Sequence, residues 1–201
     1  MAKQPNRSKP KVYGQPQAKA KLPWLPIAGG VAVVAVAGIA WSLLRGRGAS
    51  DDFDALIAQG KPALSQVINN PDHGRGHEEI GKPLIFAEDP PTSGIHWSNW
   101  TTPGVYTAAE PKEKLVHALE HGNIVAYYDQ PEPAVRTQLE TWTKRFSGQW
   151  DGMVMVPRSG IGKTIELTAW TKVLRLDTWD AAAAAAFIDA YRGRGPENPV
   201  R

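Results

Sequence analysis

The chain is 201 residues long, 42% hydrophobic and 21% charged, with five histidines and no cysteine. This is a globular composition, and without thiols neither disulfides nor thiolate metal sites are open to it, leaving His, carboxylate, Met or backbone oxygen to hold any ion. Of the 23 Lys and Arg, eight precede residue 51, leaving 15 beside all 20 Asp and Glu, so the bulk of the chain is acidic and is not expected to bind nucleic acid.

Residues 1–22 carry Lys3, Arg7, Lys9, Lys11, Lys19 and Lys21, no acid and little that is apolar, and are expected to form a disordered cytoplasmic tail. "WLPIAGGVAVVAVAGIAWSLL" follows. Its residues 27–44 are uncharged, close to the roughly 20 needed to span hydrocarbon, and Trp24 and Trp41 stand near its ends. A transmembrane anchor is therefore expected over residues 23–45. The excess of basic residues before it places the N-terminus in the cytoplasm and the rest outside the cell membrane.

Residues 46–70 read as a stalk or linker helix, with "DDFDALIAQG" giving an acidic start and a Gly stop. Residues 71–195 are expected to form a single small extracytoplasmic domain of α+β class, mixing sheet and helices, and 196–201 a disordered tail. Within the domain, Pro- and Gly-rich residues 71–106 read as ordered loop, more often functional than not at that length. A helix is predicted over 111–121, stopped by Gly122, then a strand in "IVAYY". A second helix starts near Pro133, three strands follow ("GMVMVP", "TIELTAW", "KVLRL"), and an alanine-rich helix closes the domain with Asp177 as N-cap. "SGIGKT" ends like a phosphate loop, but Pro157 stands where its first Gly belongs and a strand follows it, so it reads as a turn.

All five histidines, His73, His77, His96, His117 and His121, fall within residues 73–121. At 100° per residue, His117 and His121 lie about 40° apart on one helix face, with Leu115 and Leu119 nearly opposite. That spacing suits two imidazoles on one ion, although an exposed pair has the same spacing. "HALEH" also matches H-x-x-E-H, the inverted zinc-protease motif, in which Glu120 would act as base. No clear downstream third ligand accompanies it; Glu166 is the one candidate.

"PPTSGIHW", "GVY", "LVHALEHG", "GMVMVPR", "ELTAW" and "FIDAYRG", in this order and spacing, resemble the bacterial family of domains of unknown function numbered 3105, over roughly residues 77–193. The resemblance implies an N-terminal membrane anchor. It also marks His77, His96, His117 and His121 as motif positions, leaving His73 extra. Ile95 and Ala118 depart from the family's usual Pro and Ser, and both spare the neighbouring histidines.

The reading these residues support is a single-pass membrane protein whose domain binds copper or zinc through His77, His96, His117 and His121, in metal binding, delivery or sensing. Glu120 and Asp89 are expected to orient imidazoles. Met153 and Met155 share a strand face and are either soft ligands for Cu(I) or core residues. The expected partners are the membrane, through the anchor, and the metal ion; the sequence is silent on protein partners. Two alternatives stay open: a metal-dependent hydrolase or oxidase using the H-x-x-E-H helix, and a scaffolding domain whose histidines only fix the long loop.

Overall fold

Strand β5, Ile124–Tyr128, is β-branched and aromatic, and all five of its residues are buried. A strand buried on both faces belongs at the centre of a covered sheet, and β5 has that place. In this computed structural model, which describes residues 53–201, it pairs in parallel with β6 (Met153–Pro157) and antiparallel with β7 (Ile165–Ala169). Strand β7 pairs antiparallel with β8 (Lys172–Leu176), β8 with the short edge strand β1 (Ile68–Asn69), and β6 in parallel with β4 (Gly104–Val105). The six-stranded mixed sheet thus runs β1-β8-β7-β5-β6-β4.

Alternation along the strands sorts the core into two layers. On one face Ile124, Ala126, Tyr128, Met153 and Met155 meet helices α1 (Phe53–Gly60), α3 (Pro133–Arg145) and α4 (Ala181–Tyr191). On the other, Val125, Tyr127, Val154 and Val156 meet Leu115, Ala118 and Leu119 of α2 (Lys112–Glu120). A second, two-stranded parallel sheet joins β2 (His77–Glu78) to β3 (His96–Trp97).

The expected α+β domain with a mixed sheet is observed, but the transmembrane helix joined to it in the expectation is corrected. Among the described residues no helix is long and apolar enough to cross a membrane; the longest, α3, has 13 residues. The stretches 1–22 and 23–45 lie outside the described residues. From Phe53 on, the segment read as a stalk packs into the main core through Phe53, Leu56 and Ile57, and its continuation supplies edge strand β1. The N-cap of α4 is Asp180, which accepts from Ala183 N, while Asp177 accepts from Thr164. The 159–164 segment is a turn, its Gly160 and Gly162 amides donating to Asp129.

Candidate metal centre

The loop expected over 71–106 is ordered by its own polar groups. The Ser93 hydroxyl donates to Pro71 O and accepts from His73 N, and the Asn70 amide donates to Thr92 Oγ1. Backbone amides of Gly94, His96 and Ser98 donate to Gly74, Gly76 and Glu78 carbonyls, zipping β3 onto β2. Both strands start from glycines in the left-handed region, Gly74 (φ 81°) and Gly94 (φ 110°). The parallel register sets His77 directly beside His96.

Helix α2 then presents its polar face to that pair. Its leucines hold it on the sheet, and it ends at Gly122, whose φ of 97° lets the chain turn into β5. His117 faces His77 at 4.6 Å between ring centroids, with 25° between the planes, and His96 at 4.8 Å. Glu120 Oε2 lies 3.0 Å from His96 Nε2 and 3.6 Å from His77 Nε2. One ligand atom from each of His77, His96, His117 and Glu120 falls within 4.8 Å of all the others. Donor atoms about 2.1 Å from a shared ion sit roughly 3–4 Å apart, so the four need little movement to meet on one.

The tautomers of two rings are fixed by carbonyls, which only accept. His96 Nδ1 donates to Gly94 O and His117 Nδ1 to Trp97 O, both at 2.8 Å. Burial, the largest influence, holds the pKa of both rings below the ordinary 6.5. At neutral pH each therefore keeps its proton on Nδ1 and turns a bare Nε2 lone pair inward, the form in which imidazole ligates. At His96 that lone pair faces a carboxylate oxygen. Nε2 of His96 and Oε2 of Glu120 are both buried, and neither has a hydrogen-bond partner among the described residues. Two acceptors 3.0 Å apart with no proton between them repel, and a cation between them reverses the sign.

The fourth predicted histidine, His121, turns its Nε2 to Glu197 Oε2 at 3.0 Å, between the indoles of Trp100 and Trp150. Burial first, then its histidine neighbours, lowers its pKa to about 4. With His117 it forms a second group, His117, His121 and Glu197. Glu197 comes from the segment read as a disordered tail. That segment is docked on the end of α2 by Gly193 N→Gly122 O and Glu197 N→Glu120 O. No histidine or motif spacing marks Glu197 in the sequence; the nearest signal is the glycine-rich "RGRG" before it, which allows close approach.

The remaining predicted residues lie elsewhere. Glu120, expected behind an imidazole, stands among the ligand atoms. Asp89 pairs with Arg158 at 3.0 Å. Met153 and Met155 belong to the core layer on the sheet face turned away from α2, so the sheet separates them from the imidazoles. His73 bonds to Glu88 at 2.7 Å. Glu166, the candidate third protease ligand, is buried between Arg158 and Arg175.

Fold and site define a mixed-sheet α+β domain bearing a histidine–glutamate cluster on its smaller layer, with His96, His117 and Glu120 buried and His77 exposed. The family model for "Protein of unknown function (DUF3105)" matches residues 77–201, more than half of the chain, which therefore belongs to that family. The match begins at His77 and includes Glu197. No curated protein and no solved structure matches the chain.

Proposed function

We propose that the domain binds one divalent transition-metal ion, copper or zinc, through His77, His96 and His117 Nε2 and Glu120 Oε2, and serves in metal binding, delivery or sensing. The observation that carries this reading is the close, buried pair of His96 Nε2 and Glu120 Oε2 without a hydrogen bond between them. A protonated His96 would also satisfy the carboxylate, but burial works against that form at neutral pH. Three imidazoles and one carboxylate, without thiolate, are a donor set for Zn²⁺ or Cu²⁺. When bound, such an ion supplies Lewis acidity or a one-electron couple. The chain's part is to hold the lone pairs convergent, through the Gly94 and Trp97 carbonyls.

Binding is favoured over the hydrolase reading because Glu120 has the wrong place for a base. Its Oε2 points at the ligand nitrogens, where it would itself hold the ion. The test is elemental analysis of the untagged full-length chain after dialysis against equal zinc and copper, beside a His96→Ala/Glu120→Ala variant. One ion per parent chain and a large loss in a folded variant is the expected result. Equal, negligible metal in both would return the cluster to a structural role.

A further inference from the structure

We infer that the ion has two mutually exclusive positions in this protein, sharing His117: the one just described, and an outer, weaker one made by His117, His121 and Glu197. This rests on the metal-binding reading above.

The three outer ligand atoms also lie within 4.8 Å of one another. Glu197 Oε2 is 3.0 Å from His121 Nε2 and 4.0 Å from His117 Nε2. Because His117 Nδ1 is committed to Trp97 O, only its Nε2 is free to ligate, and one lone pair serves one ion at a time. The positions are thus alternatives on a common nitrogen, and the chain holds one ion.

Their strengths differ for a visible reason. His96 and His117 each have a carbonyl to take the Nδ1 proton. His121 Nδ1 is buried with no partner among the described residues. A metal on His121 Nε2 forces the ring proton onto that unpartnered nitrogen, so the outer position binds less tightly. Glu197 is also the more loosely held carboxylate, its side chain 37% exposed against 7% for Glu120.

The tail that carries Glu197 is seated by backbone contact. A Cβ on Gly195 would lie 2.1 Å from Gly122 N and 2.2 Å from Glu120 O, and Arg75 donates to Pro196 O. Glu120 and Glu197 therefore approach His117 from neighbouring stretches of the same seam. An ion exchanges one carboxylate for the other around a fixed imidazole, without passing through bulk water, which is what a delivery protein requires of its release step.

The test uses the full-length chain and Cu²⁺ alone. Parent protein should take up one Cu²⁺, with an EPR spectrum of three equatorial nitrogens. His77→Ala/His96→Ala should still take up one, with two nitrogens, and adding Glu197→Gln should abolish that residual binding. Two ions per parent chain, or a folded double variant with no copper, overturns the inference while leaving metal binding intact. No copper in the parent overturns both. Should the double variant fail to fold, Glu197→Gln alone decides: removal of copper by a chelator should slow several-fold, with equilibrium affinity nearly unchanged. An unchanged rate overturns the inference.

Discussion

Glu120 separates two accounts of the cluster by sign. If it is an ion-pair partner for a charged His96, Glu120→Gln destabilises the metal-free protein. In the tautomer set by Gly94 O, the amide of Gln donates to His96 Nε2 and removes an acceptor–acceptor clash. We expect metal-free Glu120→Gln to be more stable than the parent by about 1 kcal/mol and to bind metal at least ~100-fold less tightly. Urea denaturation and calorimetric titration read the two effects separately. The buried rings also set a pH dependence. Their pKa values are lowered on folding, His121 from the ordinary 6.5 to about 4. Below pH 6.5 the unfolded chain takes up protons that the folded one refuses until about 4. Stability is thus complete above 6.5 and is lost as pH falls through that window, by on the order of 3 kcal/mol from His121 alone. Denaturation midpoints of the metal-free chain at pH 7.5, 6 and 5 should fall in that order; a flat profile would mean that folding does not lower the pKa values of the rings.

Helix α2 was legible in the sequence, because its two faces differ in kind: leucines every fourth residue on one, histidines on the other. The structure puts Leu115 and Leu119 in the layer between α2 and the sheet. Leu119→Ala should therefore cost about 2–5 kcal/mol and weaken metal binding as well, by loosening the helix that aims His117 and Glu120. Strand β6 was legible only in part. Period two says that Met153 and Met155 share a face, but not which one. They face away from α2, so Met153→Leu/Met155→Leu should leave copper and zinc affinity unchanged and cost less than about 1.5 kcal/mol per site. A large loss of Cu⁺ affinity in that variant would reinstate the thioethers as ligands. Strands β2 and β3, two residues each, are too short to show any period. Their pairing of His77 with His96 is made by loop hydrogen bonds that no single segment announces. The helix cap moved from Asp177 to Asp180 for a related reason: two candidate aspartates precede the alanines, and spacing alone does not choose between them.

Taken together, the ligand atoms come from β2, β3 and α2, with Glu197 added by the segment after α4. What remained hidden in the sequence was this convergence, and above all Glu197, whose segment looks like a tail until its glycines are seen packed against Gly122. An ion bound across these elements stabilises the folded state only. At a free concentration 100 times its dissociation constant it should add about 2.7 kcal/mol, raising the melting temperature by roughly 5–11 °C for a chain of this size. Hydrogen exchange should slow most in residues 72–98, whose backbone is tied to the rest of the molecule by few long-range bonds.

The indoles of Trp100 and Trp150, with centroids 4.6 and 4.3 Å from His121, give the molecule an optical readout of its own. Paramagnetic Cu²⁺ arriving beside them should quench their emission, whereas closed-shell Zn²⁺ should not. Trp142 and Trp179 lie beside each other, tilted, in the opposite core layer beyond the sheet, and should stay bright. The fraction of light lost would then distinguish the two ions without a label, and its time course would follow the metal's approach to His121.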